Sequence, residues 1–254
     1  MDLPTILAVA VTVVAGIAMG AINNVAGGAG VLGLLAFEYL WGLPLERANP
    51  STRLAAVAIG TFAFLGFLRA GRQVPRRAWL QALMALPGAI LGSHLALGLP
   101  PMLFRSYLAA VLALLLWQQL RARPPASSAA ASPWRGALGC LVIGLHMGYV
   151  QVGTGLVAAL VLAHAYDRDL LTVNAVKSVI VILTSIASAG SFAVAGAIDW
   201  VPAITLACGA AGGSYLASHW SVAKGTGAVR RVVVVIATLT LLEQLRQIAL
   251  LLWR

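Results

Sequence analysis

The sequence predicts an all-α polytopic membrane protein made of two inverted repeats. Each repeat has a glycine-broken first segment, and there are about 8–10 membrane segments in total. Three observations lead there. Of 254 residues, 61% are hydrophobic and 9% charged, with a mean hydropathy of +0.93, against roughly 45–50% and 25% in soluble chains. Long uncharged runs recur at membrane-crossing length. The features of the first half also return, in order, in the second. This composition excludes a secreted enzyme, a DNA-binding domain and a disordered chain. The net charge of +10 is expected from Arg-rich cytoplasmic loops rather than from nucleic-acid contacts. Cys140 and Cys208 lie in apolar runs without metal-ligand spacing and read as packing residues. Asp2 and the lack of a basic n-region make the start unlike a cleavable signal peptide.

Taken in order, the first uncharged run is Leu3 to Phe37, too long for one span of about 20 residues. In its middle lies Asn23-Asn24-Val25-Ala26-Gly27-Gly28-Ala29-Gly30. We expect a helix over about 4–22, a break, and a second piece over about 29–43. Helices then follow at roughly 50–69, 77–98 and 104–121. A Pro/Ala/Ser linker comes next, within Arg121 to Trp134. The second half opens with the run Gly136 to Tyr166, broken near Gln151-Val152-Gly153-Thr154-Gly155. Its helices follow at roughly 174–195, 200–221 and 229–252. The expected organisation is therefore a first repeat over 1–121, a cytoplasmic linker over 122–134 and a second repeat over 135–254.

The halves align at an offset of 125, which places Gly28 and Gly30 on Gly153 and Gly155, Asn49 on Asn174 and Gly71 on Gly196. A four-residue deletion then changes the offset to 121, and residues 88–96 lie on 209–217 with six of nine positions identical. Charge sets the relative orientation. An odd number of crossings per half puts 12 Lys and Arg residues on one side and 5 on the other, whereas an even number splits them 9 to 8. The positive-inside rule favours the odd count, hence inversion, with both termini outside.

These residues resemble a known family. The glycine cluster early in each half, the Gly-x-Ile-Asp step of Gly196 to Asp199, and the paired Gly-Ala-x-x-Gly helices at Gly88 and Gly209 are similar to the sulfite exporter TauE/SafE family. The similarity extends over nearly the whole chain. It implies a membrane permease for sulfite, sulfonates or related sulfur compounds, in a bacterial inner membrane. The family often has a longer glycine run followed by proline in the first half. Here the run is Gly27-Gly28-Ala29-Gly30, and the next proline is Pro44.

The candidate substrate-binding residues fall in two groups. At the breaks, Gly28 and Gly153 free backbone amides, and Asn23, Asn24, Gln151 and Thr154 offer side-chain hydrogen bonds to an oxyanion. The alternative is that the glycines permit close packing while the polar side chains cap frayed ends. At the next helix starts, Asn49 and Asn174 read as N-caps. Helical spacing gathers Asn49, Thr52 and Arg53 on one face, and Asn174, Lys177 and Ser178 on its counterpart. One cation beside a helix N-terminus in each half suits an anion; equally, Arg53 and Lys177 are placed to snorkel to headgroups. His146, inside an apolar run, is a candidate for proton coupling or a core histidine bonded to a neighbouring helix. Glu38 is a candidate interfacial residue, and Glu243 and Arg246 a helical pair. The pairs Gly16/Gly20, Gly88/Gly92, Gly144/Gly148 and Gly209/Gly213 read as close-packing surfaces.

The reading is thus a secondary transporter, an exporter of a small anion by alternating access, with a passive anion channel as the alternative. An intramembrane enzyme fits poorly, because no G-x-S-x-G or activated Ser–His arrangement occurs. No G-x-x-x-x-G-K-[ST] loop occurs either, and no cofactor or metal is expected. The expected partners are the anion and the bilayer, with homo-oligomerisation left open.

Overall fold

The computed structural model describes residues 3–26, 30–71, 73–98, 100–120, 133–162, 170–221 and 227–253, and these contain eleven helices. The first half holds α1 (Leu3–Ala26), α2 (Gly30–Leu40), α3 (Leu45–Ser51), α4 (Arg53–Arg69), α5 (Arg76–Gly98) and α6 (Pro101–Leu120). The second holds α7 (Pro133–Tyr149), α8 (Thr154–Leu162), α9 (Leu170–Val194), α10 (Trp200–Ser221) and α11 (Gly227–Leu252). Four helical stretches are long and apolar enough to cross a bilayer alone: Leu3–Asn23, Leu45–Arg69, Arg76–Gly98 and Thr172–Val194. Their outward faces carry Leu, Ile, Val and Trp, as lipid requires. Most of the expected linker, 121–132, lies outside the described residues.

The second long run is broken at 150–153, as its glycines predict; in the first, α1 ends at Ala26 and α2 begins at Gly30, and the expected break between them lies outside the described residues. The piece after each break is short: α2 has 11 residues and α8 has 9, about half of what crosses a hydrocarbon core. One expectation needs correcting. Asn49 and Asn174 are not N-caps. The helix begins at Leu45 with Pro44 preceding it, so Asn49 lies inside α3, and Asn174 lies inside α9. The chain is interrupted only at Thr52, two residues beyond Pro50, whose missing N–H removes a helical bond.

Contacts fix the helix directions. Trp41 Nε1 donates to Thr12 Oγ1 at 2.8 Å, and Gly33 lies against Met19, so α2 returns along α1. Gly16 packs on Leu206–Ala210 and Gly20 on Ala210–Ser214, so α10 runs with α1. Ser214 Oγ donates to Ile59 O at 2.9 Å and Gly66 meets Ser218, so α4 runs the same way. Phe64, toward the end of α4, meets Trp79 near the start of α5 edge-on, while Arg53, at the start of α4, reaches Met147 and Tyr149 at the end of α7. Gly88 packs on Leu141–Leu145 and Gly92 on Leu145–Tyr149, so α7 runs with α5. Finally, Arg53 lies over Phe192, Gly60 against Val181–Ile182, and Ala63 and Phe67 beside Ala175, so α9 opposes α4. Each of the pairs α1/α7, α4/α9 and α5/α10 therefore consists of helices of opposite direction.

The tightest seams join the two halves. The Cβ that Gly144 lacks would sit 1.9 Å from Ala85 O, and that of Gly213 2.0 Å from Ile17 O. Only glycine allows backbones so close. The seams also give a register. Gly20 meets Ala210 and Ser214 as Gly148 meets Ala89 and Ser93. These matched contacts are spaced by 121 residues between α5 and α10 and by 128 between α1 and α7. A spacing of 128 sets Asn23 against Gln151, where the offset of 125 sets Ala26 there and Gly28 against Gly153.

Candidate functional site

The start of α2 meets the second break. The pro-Cβ position of Gly30, at the start of α2, is 3.5 Å from Gln151 O and from Val152 Cα in the second break. Gly28 lies outside the described residues, as does the side chain of Asn24. Gly153 is buried at φ +82°, a conformation that favours glycine. A side chain there would meet Val111 of α6 at 2.7 Å, so Gly153 packs against α6. Thr154 closes the turn, its Oγ1 donating to Gln151 O at 2.7 Å. Gln151 itself is 5% exposed, and neither its Nε2 nor its Oε1 has a partner among the described residues. A buried primary amide without partners costs about 1–3 kcal/mol, which invites a polar ligand.

Arg53 is fully buried, so it does not snorkel. Its Nη1 donates to Met147 O at 2.9 Å, and its Nη2 lies 3.2 Å from Gly148 O and 3.1 Å from Tyr149 O. Those are the last carbonyls of α7, where a helix leaves acceptors unpaired. Asn49 completes the cluster, accepting from Arg53 Nη2 at 2.9 Å and donating Nδ2–H to Tyr149 O at 3.1 Å. Thr52 Oγ1 donates to Asn49 O at 2.7 Å, and Phe192 underlies the guanidinium at 5.3 Å. Lys177, 7% exposed, makes the corresponding reach in the opposite direction. Its Nζ donates to Asn23 O at 3.3 Å, in the last turn of α1. Each half therefore sends a cation to the carbonyl end of the other half's broken helix. Asn23 is buried on α1. Asn174 is half-buried on α9, and Ser178 Oγ is turned back onto Ala175 O at 2.6 Å.

His146 sits one turn before the second break. A carbonyl only accepts, so Nε2 carries the proton toward Val152 O at 2.9 Å, and Nδ1 accepts from Tyr107 Oη at 2.8 Å. The imidazole thus ties α6 to the turn beyond α7. Tyr107, Phe192 and Ser185, whose buried Oγ lacks a partner among the described residues, were not foreseen. Nothing but their place beside polar neighbours marks them, and that place exists only in the fold. Glu38 has a partner from another helix. It pairs with Arg105 at 2.7 Å, both side chains 12% exposed, and Arg105 also reaches Gln244 at 3.2 Å. Glu243 and Arg246 pair at 2.8 Å as their spacing predicts, and Tyr39 joins them. Arg47 grips Asp199 at 2.6 Å, and the Asp199 N–H donates to Ser51 Oγ at 2.8 Å. Among the described residues no cluster of His, Cys, Asp and Glu suits a metal ion.

A family model described as Sulfite exporter TauE/SafE matches residues 12–243. The chain belongs to the TauE/SafE family. It is an integral membrane permease, as the family and the apolar spans together establish. No curated protein and no solved structure matches the chain. The TauE/SafE match takes in both buried cations, Gln151 and all four glycine pairs, whereas Gln244 and Arg246 lie just beyond it.

Proposed function

We propose that the chain is a secondary transporter that exports a small sulfur oxoanion or organosulfonate, binding it where the two breaks meet. One observation carries this reading: Gly30 lies against Gln151–Val152, and the buried Gln151 amide there has no partner among the described residues. Amide groups at the starts of α2 and α8, with Gln151 and Thr154, replace the hydration shell of the anion. Asn23, Lys177, Asn49, Thr52 and Arg53 surround the carbonyl ends of the same breaks. Asn24, Gly28, Gly153, Asn174 and Ser178 complete the proposed lining, and His146, bonded at both nitrogens, is the group nearest in the chain for moving a proton.

The opposed directions of α4 and α9 and the exchanged glycine seams support two inverted repeats. The contacts also suggest moving units that are not the sequence halves: α1, α4 and α10 against α5, α7 and α9. Alternating access would tilt one unit past the other along α4 and α9. With Arg53 and Lys177 buried, the loop charges divide 11 to 4, which still favours termini outside the bacterial inner membrane.

Counterflow in proteoliposomes tests the reading. Liposomes preloaded with unlabelled sulfite should accumulate external radiolabelled sulfite transiently above equilibrium. Uptake indifferent to internal sulfite would mark a passive channel. No uptake of sulfite, thiosulfate, sulfate, sulfoacetate or taurine would overturn the substrate class.

A further inference from the structure

We infer that Arg53 and Lys177 set the charge selectivity of this site as positioning residues, each cancelling the carbonyl end of a broken helix, rather than as ligands of the anion. The inference rests on the transport reading above and concerns what makes the meeting point of the breaks prefer anions.

A broken helix presents two opposite ends to whatever sits at the break. The first piece ends in carbonyls, equivalent to about half a negative charge, and the second begins with amides, equivalent to about half a positive one. Left alone, the two nearly cancel, and the break has little preference for either sign. Here the carbonyl ends are covered. Arg53 spans the last three carbonyls of α7, those of Met147, Gly148 and Tyr149, and Lys177 holds Asn23 O near the end of α1. A unit charge against half a charge overcompensates, so the amide ends act on the site unopposed.

The surrounding charges keep that excess in place. The hydrogen-bond partners of Arg53 among the described residues are all neutral oxygens: three carbonyls and Asn49 Oδ1. Three of the described carboxylates already hold their own arginines: Glu38 with Arg105, Asp199 with Arg47, and Glu243 with Arg246. Glu46 is exposed. The Gln151 amide, buried and without a partner among the described residues, is the independent sign that a ligand belongs there.

A field, unlike a contact, acts in proportion to the ligand's charge. Three organosulfonates of similar size read it out: taurine (net charge zero), isethionate (one negative charge) and sulfoacetate (two). Each is titrated as a competitor of radiolabelled sulfite counterflow by the full-length chain in proteoliposomes. The wild type should rank sulfoacetate above isethionate above taurine. Arg53→Gln should leave taurine unchanged, weaken isethionate about tenfold and weaken sulfoacetate about a hundredfold, since the energies scale with charge. Arg53→Lys, which keeps the charge but loses the planar fork, should stay within about threefold of wild type for all three. Lys177→Gln should follow Arg53→Gln, and it decides the matter if Arg53→Gln does not fold. Equal weakening of all three competitors would mean the cation is only a structural cap and would overturn the inference, as would no change. A wild type that shows no sulfite counterflow would instead overturn the transport reading, and it would be recognised before any variant was made.

Discussion

Two neighbouring glycines on α10 offer a controlled test of the packing argument. Gly212 is exposed and has nothing within 4 Å of a Cβ built on it, whereas the Cβ of Gly213 would lie 2.0 Å from Ile17 O, 2.8 Å from its C and 2.9 Å from its Cα. Alanine should favour the helix by up to about 1 kcal/mol at either position. At Gly213 that gain is opposed. Bringing the Cβ to the 3.0 Å limit of real contacts requires α1 and α10 to part by about 1 Å. A gap of that size forfeits a quarter to a half of the dispersion attraction along the seam, and overpacking of this kind costs about 1–3 kcal/mol. The expected net effects are a loss of about 1–2 kcal/mol for Gly213→Ala and a gain of about 0.5–1 kcal/mol for Gly212→Ala. At about 2–4 °C per kcal/mol for a chain of this size, the two variants should melt roughly 5–10 °C apart in detergent, followed by tryptophan fluorescence. If Gly213→Ala melts at or above Gly212→Ala, the seam is not backbone-limited and the account of the α1–α10 and α5–α7 contacts is wrong.

Three further outcomes follow from the same structure. Gly153→Ala should lose about 1–2 kcal/mol from its φ of +82° and more from Val111, and Val111→Ala should restore part of the melting temperature; an unrescued double variant would show that the strain lies elsewhere. Asp199→Asn should cost no more than about 1 kcal/mol, because the Arg47–Asp199 pair is 44% and 27% exposed; a fall of more than about 5 °C would reveal a larger role for that clasp. Cysteines introduced at the exposed Gln73 and Ala195 should label from opposite sides of the membrane, and labelling from one side would exclude an odd number of crossings per half.

Much of the fold was legible because lipid leaves few choices. The break at 150–153, and most helix boundaries within a few residues, follow from uncharged runs interrupted by glycine. The glycine pairs announced their seams, though not their partners, which lie in the opposite half. Asn49-Pro50 misled, because Asn followed by Pro is a strong local start signal, yet Pro44 and Leu45 begin the helix five residues earlier. Arg53 and Lys177 were recognisable as important from their matched places. What each touches was not, since the carbonyls of Met147 and Asn23 arrive from 94 and 154 residues away in the chain. The pairing of Glu38 was not legible because Arg105 and Gln244 are distant in sequence.

The seam between α1 and α10 also governs how the protein is made. The glycine face of α1 cannot be covered until Gly209 and Gly213 have been synthesised, almost the whole chain later. At translation rates of about 5–20 residues per second, α1 waits in the bilayer for about ten to forty seconds with its small-residue face against lipid. α7 has no such wait, because α5 precedes it. Biogenesis is therefore lopsided although the finished molecule is balanced. The second bundle can consolidate as it leaves the insertion machinery, while the first stays open until nearly the last helix arrives. A ribosome stalled before α10 would release a chain with one bundle closed and the other a ready substrate for membrane quality control.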